Sequence, residues 1–169
     1  MNRDAAIALI RSGQGANADF RGLDFSDCDL SGADLREARL SHVSLRGANL
    51  RDADLRGALL DEADLSNADL SGSNCEFAVF GGANLSHSNF TGANMRRTNL
   101  VGAQGPEARF NSAELFLARP GNADFRSASF RNAEITRAIF RRANLSGADF
   151  RGSEGEANFD GAKLGGIIR

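Results

Sequence analysis

The chain contains no tryptophan and no tyrosine, two prolines, two cysteines and two histidines, and Lys163 is its only lysine. With Tyr and Trp absent, all 12 aromatic residues are Phe, so an interior lined by them has no phenol or indole that needs a hydrogen-bond partner. Cys28, Cys75, His42 and His87 are widely separated, which excludes a Cys/His cluster at metal-ligand spacing, and there is no Gly-rich phosphate loop ending in Lys-Ser or Lys-Thr. No apolar run approaches the roughly 18 residues of a membrane-spanning helix. The N-terminus carries Asp4 and lacks a long apolar stretch before a cleavage site, unlike a secretory leader. Together with two cysteines that read as free thiols, this leads us to expect a soluble protein of the reducing cytoplasm, with no metal, no cofactor and no membrane partner.

What is present is a beat of five. Taking residue numbers divisible by five as pentad centres i, 24 of the 27 centres from Phe20 to Phe150 are Leu, Phe, Met or Ile; the exceptions are Cys75, Gly105 and Pro120. At i−2, 21 of 27 residues are Ala, and at i−1, 16 of 27 are Asp or Asn. Gly recurs at i+2, as at Gly22, Gly47 and Gly72. On an α-helix a step of five rotates by about 140°, so successive Leu would wander around every face. On a continuous strand an odd step sends alternate Leu to opposite sides. Both are excluded. The pattern requires a short extended piece in which i−2 and i point the same way, followed by a bend that resets the direction in every pentad. The chain must coil with Ala and Leu inside.

These A-(D/N)-(L/F)-x-x pentads, spanning residues 16 to 164, resemble the pentapeptide repeat family. That resemblance implies an all-β solenoid, a right-handed quadrilateral parallel β-helix of about seven coils with four pentads per turn. At a strand spacing of about 4.8 Å the shaft is roughly 30 Å long. Residues 1–15 are then an N-terminal cap, 16–164 the β-helix and 165–169 a C-terminal tail. Residues 3 to 12 are helix-compatible, with Asp4 as a cap and Gly13 as a terminator. The frame slips by one residue near Gly155, because Phe159 and Leu164 follow out of phase. Gly105 and Pro120 interrupt the run of centres between residues 102 and 122, and a local kink, bulge or outward loop is expected there. Cys28 and Cys75 fall about two coils apart, roughly 10 Å along the axis, beyond the reach of a disulfide; both are expected to point inward.

His42 and His87 fall at i+2 on separate corners and read as solvent-facing. The Asp and Asn at i−1 belong to the structural repeat, so choosing any pair as acid and base is arbitrary; an enzyme is not expected. Function is left to the outward positions, and the expectation is a non-enzymatic interaction scaffold whose partner is another protein. Leu59, Phe77, Val79 and Val101 are expected to form an exposed apolar patch, with Phe116 and Leu117 further along the corner and Arg96 and Arg97 between them. Some members of the resembled family protect DNA gyrase from quinolones or toxins as acidic rods similar to duplex DNA. In this chain that alternative rests on Asp19, Asp24, Asp29, Asp34, Asp54, Asp64 and Asp69. The resemblance also implies a homodimer through the C-terminal end, here through Ile167 and Ile168. Direct nucleic-acid binding is not expected. Residues 1–85 carry 8 basic and 14 acidic side chains (net −6), and residues 86–169 carry 12 and 8 (net +4), so the rod is electrically polar along its axis.

Overall fold

The computed structural model describes residues 1–169. After one short helix, α1 (Arg3–Arg11), the chain forms a continuous parallel ladder in which each pentad pairs with the pentad 20 residues later: Asp19 with Arg39, Asp24 with Ser44, Asp29 with Asn49, Asp34 with Asp54, and so on. An offset of 20 is four pentads, so each coil has four sides. The same offset stacks the interior. Phe90, Phe110, Phe130 and Phe150 lie one above another with near-parallel rings, 5.2, 4.9 and 4.7 Å between successive centroids. The centres and the alanine column form one buried core running the length of the shaft.

The local chemistry of the pentad follows from its corner. The N–H of each i−2 residue donates to the carbonyl of the preceding centre, as Ala33 does to Leu30 at 3.1 Å, closing a tight turn. The second corner residue, i+2, takes a positive φ of about 54 to 72° at nearly every pentad, in Gly57, His42, Phe77 and Leu117 alike. No Val, Ile or Thr occupies these left-handed positions, where a β-branched side chain is strained. The i−1 preference has an equally direct cause. Its side-chain oxygen accepts the N–H of i+1, as Asp24 does from Ser26 at 2.8 Å, Asn94 from Arg96 at 3.1 Å and Asp124 from Arg126 at 3.2 Å. An Asx residue there satisfies a corner donor that the ladder leaves over. Where Ser or Thr stands in the alanine column, its hydroxyl turns back to the preceding centre's carbonyl: Ser73 to Leu70 at 2.7 Å, Ser88 to Leu85 at 2.6 Å and Thr98 to Met95 at 2.8 Å.

Several expectations need correction. The helix is capped by Asn2, whose side chain accepts the Ala5 N–H at 2.9 Å, while Asp4 lies inside the first turn, where its charge complements the helix N-terminus. Gly13 does end the helix. Its N–H donates to Ile10 O and that of Gln14 to Leu9 O, a Schellman pair around its φ of 76°. Ala6 and Ile10 bury themselves against the first coil.

The segment 102–122 neither loops out nor bulges. Gly105 N–H donates to Asp124 O at 2.7 Å, and the ladder passes through both irregular centres. At Gly105 the missing side chain is replaced from the next coil. An added Cβ there would lie 2.5 Å from Phe125 Cε1 and 3.3 Å from Leu85 Cβ, so the Phe125 ring already fills the space. Pro120 is buried in its centre position, and only the N–H that it lacks is missing from the ladder, since Ile139 still donates to Ala118 O at 2.9 Å.

The slip at Gly155 is absorbed in a single pentad. Pairing changes there from an offset of 20, Glu134 with Glu154, to one of 19, Ile139 with Asn158. Residues 165–169, expected as a tail, continue the ladder: Phe150 N–H donates to Ile168 O at 2.7 Å. Cys75 is buried, with its thiol pushed up to about 12 by burial. Cys28 is only half-buried, and its sulfur accepts a hydrogen bond from Arg3 at 3.1 Å.

Candidate protein-interaction face

The four sides of the shaft present four outward i−1 columns, and they differ in chemistry. Three are predominantly polar or charged. The seven carboxylates considered as a duplex mimic are distributed among all four: Asp19 on the first side, Asp24 and Asp64 on the second, Asp29 and Asp69 on the third, and Asp34 and Asp54 on the fourth. Each also accepts its corner N–H, and several are neutralised by the adjacent Arg. Arg21 pairs with Asp19 at 2.6 Å, Arg36 with Asp34 at 2.7 Å and Arg56 with Asp54 at 2.6 Å. The structure therefore does not gather these groups into one acidic surface.

Those pairs set an acid limit on stability. The hydrogen bonds from Arg21 pull Asp19 down to about 2, and those from Arg151 do the same to Asp149. Asp34 and Asp54 are lowered first by their side-chain bonds to Arg36 and Arg56. A carboxyl group depressed in the folded state stabilises it above its unfolded pKa, near 3.9, and ceases to do so as the pH falls through the folded value. Thermal melts should hold steady from neutrality to about pH 4 and lose midpoint temperature between about pH 4 and 2. A midpoint that rose over that window would contradict the pairing.

The first side departs from the repeat. Its i−1 column reads Asp19, Arg39, Leu59, Val79, Asn99, Arg119, Ile139, with Leu59, Val79, Asn99 and Arg119 bridged in succession. Replacing Asx by Leu, Val, Arg and Ile leaves the corner N–H groups of Asp61, Gly81, Gly121 and Arg141 without the side-chain acceptor that their counterparts have. These side chains lie on the outer face of the shaft, and their apolar surface is only partly covered: Leu59, Val101 and Ile139 are each about 38 to 39% exposed and Phe77 is 52% exposed. Val79 is half-buried between them. The expected patch of Leu59, Phe77, Val79 and Val101 is thus brought together on one side and its flanking corners.

Phe116 and Leu117 are half-buried on the corner beside it. The guanidinium of Arg96 lies 4.8 Å from the Phe116 ring centre and that of Arg97 5.3 Å from the Phe77 ring centre, so each arginine covers one aromatic ring. Arg96 also reaches Glu114 at 3.7 Å.

The strip continues past what the pattern alone identified. A cleft of about 250 Å³ opens over Gly121, lined by Val101, Arg119, Ile139, Arg141 and Arg142. Arg119 and Arg142 pair with no carboxylate, and Arg141 has only Asp160, at 4.0 Å. Two signals were available in the sequence: Ile139 stands where Asx dominates, and Gly121 leaves a gap in the corner column between Val101 and Arg141. At the other candidate region, Ile167 lies in the alanine column, half-buried, whereas Ile168 lies in the outward column above Asp149 and is 44% exposed. Ile168 therefore faces sideways. Phe159 and Leu164 occupy the centres of the last coil, half-buried, and the Arg169 guanidinium sits 5.7 Å from the Phe159 ring centre. No helix is long and apolar enough to cross a membrane.

Comparison with known proteins agrees with this architecture. A trypsin-treated variant of QnrB1, a plasmid-mediated fluoroquinolone resistance protein, superposes with a TM-score of 0.61 at 21% identity, covering 90% of this chain and 80% of that one. HetL, a pentapeptide repeat protein involved in heterocyst differentiation regulation from the cyanobacterium Nostoc sp. strain PCC 7120, is 28% identical over 99% of this chain and 92% of its own, with a TM-score of 0.35. No curated protein matches the sequence. The family model for pentapeptide repeats matches in eight copies over residues 16–52, 48–86, 73–104, 83–118 and 121–153. With a four-pentad coil, an inward Ala and Leu or Phe in each repeat and this model spanning most of its length, the chain is a right-handed quadrilateral β-helix and belongs to the pentapeptide repeat family.

Proposed function

We propose that this protein is a non-enzymatic interaction scaffold whose shaft presents the strip from Leu59 to Ile139 to another protein. The observation that carries this reading is the departure of that one column from the repeat. Leu59, Val79, Arg119 and Ile139 forgo the corner hydrogen bond that Asp or Asn makes elsewhere, and place aliphatic and guanidinium groups in water instead. Aliphatic side chains rimmed by arginine are the composition of a protein interface, not of a solvated wall. A rigid ladder supports this use, because its outward groups are held in place before binding and little order remains to be imposed.

A duplex-mimicking role against gyrase would call for carboxylates concentrated on a surface that a DNA-binding groove can grip. Their spread over four sides, with several already paired to arginine, favours the apolar strip over that alternative. The open rung of Phe159 and Leu164, with Ile167 beside it, supports end-to-end pairing of two copies as a second mode. The docking reading is tested by Phe77→Ser and Val79→Asp in an affinity capture from native extract, with each variant's melt compared with the parent's. Partners retained by the parent should be lost by at least tenfold from both variants while the melts change little. Undiminished capture by both variants would reject the strip as the docking surface.

A further inference from the structure

The same side of the shaft is complementary to itself. The corner that follows the Leu59 column stacks Ser41, Asp61, Gly81, Val101, Gly121 and Arg141 in order, each connected by the hydrogen bonds of consecutive coils. Asp61 and Glu62 lie two coils below Val101, and Arg141 and Arg142 lie two coils above it. On the flat of the side, Leu59 lies two coils below Asn99 and Ile139 two coils above it. The charge pattern is therefore opposite in sign about Val101, while Leu59 and Ile139 are placed symmetrically about it; on the levels between, Val79 has Arg119 as its counterpart.

We infer that two copies pack side by side and antiparallel through this face, about a two-fold axis passing by Val101 and Asn99. This inference rests on the reading of the face as a protein interface, and it names the partner as a second copy of this chain. Rotation about such an axis places Arg141 and Arg142 of one copy against Asp61 and Glu62 of the other, twice. It sets Ile139 against Leu59, again twice, and Val101 against itself, so that the exposed aliphatic groups cover one another.

On the preceding corner the same rotation brings Phe116 and Leu117 opposite Phe77. The corners that meet are built on glycine: Gly81 and Gly82 of one copy meet the Gly121 notch of the other, and the side chains lying over Gly81 and Gly82 are those of Asp61 and Glu62, the carboxylates that the rotation sets against Arg141 and Arg142. Arg96 and Arg97 meet their own counterparts on the axis, where Arg96 is already held by Glu114 and Arg97 by the Phe77 ring. The carboxylates are available for exchange. Glu62 has only the exposed contact with His42, at 3.4 Å, and Asp61 has no salt bridge within the chain.

Self-complementarity of this kind can be tested by reversing it. In sedimentation equilibrium at tens of micromolar protein, the full chain should show a dimer. Arg141→Glu with Arg142→Glu should weaken self-association at least tenfold, by setting like charges face to face. Adding Asp61→Arg and Glu62→Arg to the same chain should restore it, since each reversed pair then meets a reversed pair. Val101→Cys in a Cys28→Ser background should give a covalent dimer with a short bismaleimide, because the two thiols face each other across the axis and Cys75 is buried.

A monomer at these concentrations overturns the inference, and leaves the capture experiment on Phe77 and Val79 to decide independently whether the face docks some other protein. A dimer unaffected by the charge reversal and not cross-linked through position 101 also overturns it, and assigns the association to the end carrying Phe159 and Leu164.

Discussion

Leu65→Asp is expected to unfold the shaft or lower its midpoint by roughly 8 to 16 °C, the largest effect of any single change considered for this protein. Leu65 is fully buried in the middle of the core, with the ladder intact above and below it. Replacing it removes the dispersion contacts and apolar burial of a Leu, about 2 to 5 kcal/mol in a core that cannot collapse around the gap. It also places a carboxyl group among Ala and Leu side chains with no donor in reach. Such a group is neutral in the folded state, so its folded pKa lies above its unfolded one. The difference between variant and parent should then be greatest at neutral pH and shrink below about pH 4, where the unfolded chain is protonated as well. Leu65→Met serves as the control: its similar volume should limit the loss to under about 1.5 kcal/mol. Calorimetry or circular dichroism melts at two pH values measure all three chains. An unchanged midpoint for Leu65→Asp would show that this column does not face inward.

Gly105→Leu should also destabilise strongly, by about 1 to 3 kcal/mol or more, although it restores the residue that the repeat prefers. The repeat by itself recommends this change, since Leu occupies most other centres and Gly contributes nothing to the core. The structure reverses the expectation. A Cβ at position 105 falls 2.5 and 2.8 Å from Phe125 ring carbons. The ring cannot swing aside, because it packs edge-on against Phe110 at 5.2 Å and Phe130 at 5.9 Å.

Phe125→Leu alone leaves the space beside Gly105 unfilled and should be destabilising too. The double change Gly105→Leu with Phe125→Leu continues the leucine of Leu85 through the next two levels of its column. It should recover much of the loss, with a coupling of about 0.5 to 3 kcal/mol between the two sites. Strictly additive midpoints would show that Phe125 does not occupy the Gly105 space.

These two substitutions mark where sequence reading succeeds and where it stops. Leu65 was readable as a core residue because the five-residue beat excludes both helix and plain strand, leaving only a coil with centres inside. Gly105 was readable as an irregularity, but its consequence was not. The side chain that fills its place is 20 residues away, and nothing at position 105 specifies it. The same holds for the helix cap, where two polar residues, Asn2 and Asp4, lie close together and only the start of the hydrogen-bonded turn selects Asn2.

The candidate face shows the same division. Leu59, Val79 and Phe77 stood out because aliphatic and aromatic groups interrupt a polar position. Arg119, Arg141 and Arg142 did not, because arginine at an outward place is ordinary until Gly121 opens a cleft among them.

The sequence by itself determined the coil, its inward Ala and Leu or Phe columns and the outward set, because a period of five admits no other way to keep those side chains together. Which outward residues share a side is not fixed by the period itself; the family resemblance implies it and the tertiary structure decides it. That depends on the coil closing after four corners, each fixed by a left-handed i+2 residue and, where Asx stands at i−1, by its hold on the i+1 N–H. Those corners place residues 20 apart in contact, and so gather Leu59, Val79 and Ile139 on one side while dispersing the seven aspartates over four.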